Sequence, residues 1–383
     1  ISLYETSIVS AKAFSTNNNL PSSTSDAIYL VNEQQTGMNV FSIITDSLNL
    51  WDWETGIYII GENASSEYPY FGSNFWQPWS KKSRLKYFNS EGILKSEEII
   101  DLEIHGGWSR AEPQKSFRLD FKNEYSGLFE HPIMMNKPEI SSFNNLNLRN
   151  GGQHVWSDKL QDAIISNVTR GTHISYSSWE PAILYLNGDF WGIYGVREKI
   201  DEHYVENNFA VPSESVDLIN SFGVLNGEGL SFNSDAEQIL DLDPESFGFI
   251  NAFGSVFDLD SYIDYFIFET YTQNSDWMGI FWGANNIKLF RSNELDGKWR
   301  YAMYDMDASF GYFGAGLADN YIDYARNPGF PNDHSMIFNH VLENDDFKCL
   351  FVNRYADLLN TNFRQDYFNN VVDSMYSLIS ETM

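Results

Sequence analysis

The run D-W-M-G-I-F-W-G-A-N-N-I-K-L-F over residues 276–290 leads into a polar turn at Asp296-Gly297 and then K-W-R-Y-A-M-Y-D-M-D-A-S-F-G, residues 298–311. Apolar residues alternate over 286–290 and over 299–303, which predicts two strands. The Asp-Gly between them predicts a hairpin, with its chemistry at the far end. Asp305 and Asp307 are two residues apart, so on an extended backbone both carboxylates leave from one side and repel each other unless a cation or donor sits between them. Asp276 precedes the first strand and Asn286 opens it, so the closed hairpin brings an acid and an amide oxygen toward that pair. Hard oxygen donors of this kind suit Mg²⁺, which keeps water and takes further ligands from a phosphate chain. The plainer reading is that these are turn and cap residues of an acidic protein.

Composition narrows the partners. At 383 residues the chain forms one large domain, or two lobes with an appendage. A formal charge of −29 argues against a nucleic-acid backbone or an anionic membrane surface. A nucleotide stays possible in principle, because a bound metal reverses the sign locally. Cys349 is the one cysteine, so no disulfide framework forms within the chain. No apolar run approaches the roughly 20 residues needed to span a bilayer.

Outward from the hairpin, D-L-D-S-Y-I-D-Y-F-I-F-E-T-Y-T (258–272) predicts a helix that buries Tyr262, Tyr265, Phe266 and Phe268 and delivers the chain to Asp276. The glycine-rich S-F-G-V-L-N-G-E-G-L (221–230) lacks the G-x-G-x-x-G spacing and reads as a loop into a helical insertion. W-E-P-A-I-L-Y-L-N-G-D-F-W-G-I-Y-G-V-R-E (179–198) predicts a hairpin on the type I′ turn Asn187-Gly188. Its second strand ends at Glu198, and a helix with His203 and Tyr204 follows. D-K-L-Q-D-A-I-I-S-N-V (158–168) predicts a helix with Ser157 as N-cap.

The first half reads as mostly antiparallel strands: 41–46, 56–61, 84–88, 99–107, 115–121 and 146–152. Lys115 and Phe117 share one strand face, Ser116 and Arg118 the other. An inward Lys115 beside a glycine turn would hold a phosphate as a point charge, whereas an outward one would be merely solvated. The aromatic loop Y-P-Y-F-G-S-N-F-W-Q-P-W (68–79) is either a stacking platform or a cover over the core. Residues 1–35 predict two short strands about an Asn/Pro/Ser turn, either the trailing edge of a β-module or a hairpin packed on the main body. A helical tail over 335–383 ends without a stop signal, and further domains are expected on both sides.

Five segments in order resemble the CotH-type atypical kinases, a family first named for a spore-coat protein and found in exported bacterial proteins. They are I-H-G-G-W-S-R-A-E-P-Q-K-S-F-R-L, L-N-L-R-N-G-G, L-N-G-D-F-W-G-I-Y-G-V-R-E-K-I-D, N-N-I-K-L-F and Y-D-M-D-A-S-F-G. The resemblance covers residues 36–383. Residues 1–35 are similar to the end of a chitobiase-type C-terminal β-module. What the resemblance implies is an α+β, highly divergent protein-kinase-like fold of two lobes, β-rich over about 36–155 and mixed or helical over about 156–383. It implies transfer of the γ-phosphoryl group of ATP to Ser/Thr of a protein substrate with Mg²⁺, or Ca²⁺ or Mn²⁺ in its place, by a secreted or cell-surface protein. By position it makes Asp305 the metal-binding aspartate, with Asp307 completing the pair. Asp276 becomes a base or second metal ligand, Asn286 a further ligand, Lys115 the phosphate lysine and Glu198 its partner. Tyr304 stands where many members have Trp, and would stack on adenine. H-R-D and G-x-G-x-x-G are absent from the chain.

Two other classes stay open at this stage. One is a non-catalytic surface module that binds glycan or protein through the aromatic loop, with a structural Ca²⁺ at the acids. The other is a glycoside hydrolase, which ranks last because Asp305 and Asp307 are too close in sequence to flank a sugar.

Overall fold

The computed structural model describes residues 2–15, 20–33, 36–121, 127–228 and 231–382. Residues 17–19 of the expected N-terminal turn, residues 229–230 of the glycine-rich run and the last residue of the tail lie outside them. Strands β1 (Ser7–Ala11) and β2 (Ser25–Tyr29) pair antiparallel. They rest on the main body: Ile28 packs with Met38, Tyr185 and Ile193, and Asp26 pairs with Arg84.

β3 (Asn39–Ile44) leads into the short helix α1 (Ser47–Trp51), and then come β4 (Ser80–Phe88), β5 (Leu94–His105), β6 (Ser116–Asp120) and β7 (Asn145–Arg149). The expected strand over 56–61 is a turn instead. Ile57 and Tyr58 are buried there, and the Tyr58 hydroxyl donates to the Pro113 carbonyl at 2.7 Å, so burial rather than sheet pairing explains the apolar run. Helix α2 (Gln161–Val168) starts four residues beyond Ser157, which does not cap it; Asp158 Oδ1 instead accepts from the Leu160 N–H at 2.8 Å. A two-residue strand, β8 (Ser175–Tyr176), precedes β9 (Trp179–Leu186) and β10 (Asp189–Glu198). Asn187 and Gly188 both have positive φ, 52° and 93°, as a type I′ turn requires.

Among the described residues, seven strands close into a barrel in the order β10-β7-β6-β5-β4-β3-β9. Neighbours run antiparallel except β3 and β9, which are parallel. The barrel therefore takes strands from both sides of residue 155, where the sequence placed the end of the β-rich part. All eight residues of β9 are buried, which alternation alone would not give. Ala182, Leu184 and Leu186 point into the barrel core, while Trp179, Ile183 and Tyr185 pack outward with β2, α2 and the C-terminal helix.

Helix α3 (Glu202–Phe209), capped by Asp201, leads to β11 (Val216–Asn220) and β12 (Gly223–Asn226), then α4 (Ser231–Leu240), α5 (Phe249–Val256) and α6 (Leu259–Tyr271). The glycine-rich run expected to be a loop thus carries a strand, and β12 pairs with β11 at a sheet edge. β13 (Lys288–Ser292) and β14 (Arg300–Met303) form the expected hairpin, with Leu289 opposite Tyr301. The second sheet runs β12-β11-β13-β14-β8, β8 joining parallel to β14. Helices α7 (Tyr321–Arg326), α8 (Asp333–Val341), α9 (Asp345–Asn360) and α10 (Gln365–Ile379) complete the chain.

Behind this sheet, α6 inserts Tyr262, Tyr265 and Phe266 among Trp277, Tyr301 and Phe338, all fully or nearly fully buried. Burying each such ring stabilises the fold by about 1.5–3 kcal/mol. The architecture is α+β, with a β-rich N-terminal half and a helical C-terminal half. No helix among the described residues is long and apolar enough to cross a membrane.

Candidate functional site

A cleft of about 740 Å³ lies between one end of the barrel and the second sheet, and Asp276, Asp305 and Asp307 all line it. The backbone under the acid pair is not extended as expected. Asp305 is in the left-handed region at φ 58°, and Met306–Ala308 form a 3₁₀ turn that drives Met306 into the core. The two carboxylates still meet, through Arg149 at the end of β7. Its Nη2 is 2.7 Å from Asp305 Oδ1 and 3.5 Å from Asp307 Oδ2, and its Nη1 is 3.5 Å from Asp162. Burial works against the Arg149 charge, but the carboxylates of Asp305, Asp162 and Asp307 outweigh it and hold the guanidinium protonated. Burial, then the charge of Asp305, pushes the Asp307 carboxyl well above the usual carboxylate range.

The R-N-G-G run is built for this approach. Asn150 Oδ1 accepts from the Ser116 hydroxyl and the Gly152 N–H, both at 2.9 Å, and its Nδ2 donates to the Gln114 carbonyl at 2.7 Å. Gly152 has φ 59°, and a Cβ there would sit 1.9 Å from Asp307 Oδ2. Only glycine admits the carboxylate, which then accepts from the Gln153 N–H at 2.9 Å.

Asp276 is oriented by three donors. Its Oδ1 accepts from Asn285 Nδ2 at 2.8 Å and from the Trp282 indole, and its Oδ2 accepts from Asn286 Nδ2 at 3.1 Å. Asn286 precedes β13 rather than opening it, at φ 53°, and its amide N–H groups are engaged by Asp276. Burial raises the proton affinity of Asp276; the Trp282 and Asn285 hydrogen bonds oppose this, and the charge of Asp305 adds to it.

The loops bearing the acids are stitched together. Ser275 N–H donates to the Ala308 carbonyl at 3.1 Å and Phe310 N–H to the Thr272 carbonyl at 2.7 Å. Asn274 bridges them with its side chain: its Oδ1 accepts from Asp276 N–H at 3.2 Å, and its Nδ2 lies 3.4 Å from Met306 Sδ. The same Nδ2 donates to Glu269 Oε2 at 3.0 Å, and burial pushes that fully enclosed glutamate up to about 8.

Lys115 is not part of this group. It sits just before β6 on the barrel side. Its ammonium donates to the Arg110 carbonyl at 2.6 Å and the Glu112 carbonyl at 2.9 Å, and lies 3.9 Å from the centre of the Phe75 ring. The predicted alternation holds with its faces exchanged in role, since Ser116 and Arg118 line the cleft. Glu198 does not pair with Lys115 either. Its partner is Lys137, whose ammonium reaches Glu198 Oε2, Asn208 Oδ1 and the Tyr176 carbonyl, each at 2.7 Å. The segment M-M-N-K-P around Lys137 has no periodicity that would have announced it.

The cations at the cleft are others. Lys288, on β13, donates to the Ile200 carbonyl at 3.0 Å and lies 4.2 Å over the Tyr304 ring, so one face of that ring is covered. Burial pushes Lys288 down to about 8. A recess of about 70 Å³ is lined by the cations Arg118, Arg149, Arg197, Lys199 and Lys288 and by the acids Asp162, Glu198 and Asp305, so Glu198 does reach the neighbourhood of Asp305. Two of these have buried N–H groups without a partner in the protein, Arg118 Nε and Arg197 Nε. Arg197 is already held by Asp162, the Ser166 hydroxyl and the Ser177 carbonyl, so it belongs to the recess wall. Lys288 opens β13 and lay inside a quoted motif, but nothing in N-N-I-K-L-F singled it out. Arg149 lay in a quoted motif but pairs with residues 156 and 158 positions away.

Among the described residues, no three His, Cys, Asp or Glu side chains gather at metal-ligand spacing. The donor set is instead two carboxylates sharing one arginine, with a third acid nearby. In the structure the cation that balances them is Arg149. No curated protein matches the chain. The model of the CotH kinase protein family matches residues 102–246 and 236–383, from within β5 to the C-terminal residue. The chain belongs to the CotH kinase family.

Proposed function

We propose that this protein is a Mg²⁺- and ATP-dependent atypical protein kinase that phosphorylates Ser or Thr of an exported or surface protein. In this reading residues 36–383 are a divergent two-lobed kinase-like unit, with the barrel as one lobe, and residues 1–35 close an upstream β-module. The observation that carries it is the cleft that gathers Asp276, Asp305 and Asp307 with Arg118, Arg149 and Lys288. Phosphoryl transfer asks chiefly for positioning and charge neutralisation, and these residues supply both.

Asp305 and Asp307 would hold Mg²⁺, which when bound screens phosphate charge. Arg118 and Lys288 hold the phosphate oxygens, and Arg149 keeps Asp305 and Asp307 in place. Asp276, oriented by Trp282, Asn285 and Asn286 and raised in proton affinity, takes the proton of the acceptor hydroxyl. The hydroxyl oxygen bonds to the γ-phosphorus, the bond from that phosphorus to the bridging oxygen breaks, and ADP leaves with the electron pair. Tyr304 contributes its remaining ring face to the cleft wall.

Thermal unfolding with Mg·ATP tests the proposal. A nucleotide at a hundredfold excess over its Kd stabilises the native state by about 2.7 kcal/mol. Asp305→Ala should abolish that shift. Stabilisation by Ca²⁺ alone, with none from Mg·ATP, would sink the kinase reading and favour the surface module.

A further inference from the structure

Asn274 has no exposed surface and does not line the cleft, so neither nucleotide nor acceptor reaches it. Its polar groups are nonetheless spent on the elements that carry the acids. The backbone N–H donates to the Glu269 carbonyl at 3.2 Å and Nδ2 to the Glu269 carboxylate at 3.0 Å, which fastens the residue twice to the end of α6. From that anchor Oδ1 accepts the Asp276 N–H, and Nδ2 lies against the sulfur of Met306, the residue between Asp305 and Asp307.

The segment it serves does not hold its shape unaided. Gln273 and Met278 both adopt the left-handed region, at φ 56° each. Non-glycine residues keep that conformation where surrounding contacts fix it. The turn that bears Asp305 and Asp307 has anchors of its own: Asp162 Oδ1 accepts the Met306 N–H at 3.1 Å, and Gln161 Nε2 donates to the Ser309 carbonyl at 2.7 Å. Two separately held pieces of chain, one with Asp276 and one with the acid pair, thus meet through two backbone hydrogen bonds and through Asn274. An amide suits the third link because it accepts at one atom and donates at the other. An ionised carboxylate in its place would face Glu269 without a donor. A serine hydroxyl would reach the Asp276 N–H and fall short of Glu269.

We infer that Asn274 is a positioning residue for phosphoryl transfer: its amide, anchored on Glu269, sets the separation of Asp276 from the Asp305–Asp307 turn. The inference rests on the kinase reading above and adds to that site a residue no substrate touches. A proton acceptor displaced by about 1 Å from the attacking hydroxyl loses rate without losing bound nucleotide.

The test is steady-state transfer from Mg·ATP to a degenerate peptide library containing serine and threonine, beside circular dichroism and thermal unfolding. Asn274→Ala should lower kcat by about 10²-fold, with the KM for ATP and the stabilisation by Mg·ATP unchanged. Asn274→Ser keeps the Asp276 N–H paired and drops the tie to Glu269, so kcat should fall by about tenfold, between the alanine variant and the wild type. Asn344→Ala is the control for lost stability. It removes the side chain that caps α9 and that donates to the Pro244 carbonyl, away from the acids, and should leave kcat at the wild-type value. Wild-type kcat in a folded Asn274→Ala or Asn274→Ser protein overturns the positioning role, as does a fall in kcat in Asn344→Ala equal to that in Asn274→Ala. Should neither variant at position 274 fold, the residue is structural alone and the inference fails. Absence of transfer and of Mg·ATP stabilisation in the wild type removes the kinase reading and this inference together.

Discussion

Lys115 in the barrel wall and Lys288 at the cleft are both pushed down to about 8 by burial, yet their surroundings differ in kind. The Lys115 ammonium is held by two backbone carbonyls and a phenyl face, whereas Lys288 has one carbonyl, the Tyr304 ring and the charges of Asp201 and, more weakly, Asp305. Lys137 belongs with the first kind, saturated by three acceptors. Arg118 lines the same cleft as Lys288, whereas Arg197 is already held by Asp162, Ser166 and the Ser177 carbonyl. A cation whose donors the protein fills braces the fold, and one that faces the cleft stays open to a ligand. Depth of burial does not separate Lys115 from Lys288; what their donors face does.

The sharpest break in that contrast is expected at the acids that balance the cleft cations. Asp305→Asn should lower phosphoryl transfer by about 10²-fold or more with the fold retained, read as radiolabel transfer beside circular dichroism. Transfer near the wild-type rate would move the chemistry elsewhere. Lys288→Met should weaken nucleotide binding about tenfold in calorimetry, as loss of a charge-assisted hydrogen bond does. Unchanged affinity would place Lys288 with Lys115. The reciprocal experiment is Lys115→Met, which should cost about 1–3 kcal/mol in urea unfolding because two carbonyls lose their donor. Nucleotide affinity should not change.

Acidity sharpens the same contrast. The folded protein releases the Lys288 proton near pH 8, while the unfolded chain keeps it to the usual 10.5. The unfolded state therefore binds more protons between those values, so this lysine makes stability rise with pH across that window. Lys288→Met should remove its share, seen as a shallower rise in unfolding free energy from pH 8 to 9.5. Glu269 has the opposite sign. Its folded value of about 8 exceeds the usual 4.5, so the folded state binds more protons there and stability falls as pH rises through that range. Glu269→Gln, which mimics the protonated form facing Asn274, should flatten that fall and leave transfer near wild type. A large loss of transfer in this variant would mean that the carboxylate itself, rather than its shape, holds Asn274.

Much of the scaffold was legible because single segments carried their own signal. α6 showed a helical burial pattern, Asn187-Gly188 announced its turn, and the β13–β14 hairpin appeared from alternation about Asp296-Gly297. β12 escaped because G-V-L-N is a short edge strand among turn glycines, and its pairing with β11 is what makes it a strand. The site was half legible. Asp276, Asp305 and Asp307 do line one cleft, but through a left-handed residue and a 3₁₀ turn rather than one extended face. Lys115 was misplaced because alternation says which residues share a face and not whether that face looks into a barrel or a cleft. Arg149, Arg118 and Arg197 gain their meaning only when β6, β7 and β10 are set side by side.

The order in which the barrel closes has a consequence for synthesis. β3 is hydrogen-bonded between β4 and β9, and β10 seals β7, so the last staves arrive long after the first. A nascent chain released only through Arg149 holds an open sheet with two bare edges, one of them β3. Folding of this half must therefore wait for the segment ending at Glu198, and any fragment cut before it should aggregate along those edges.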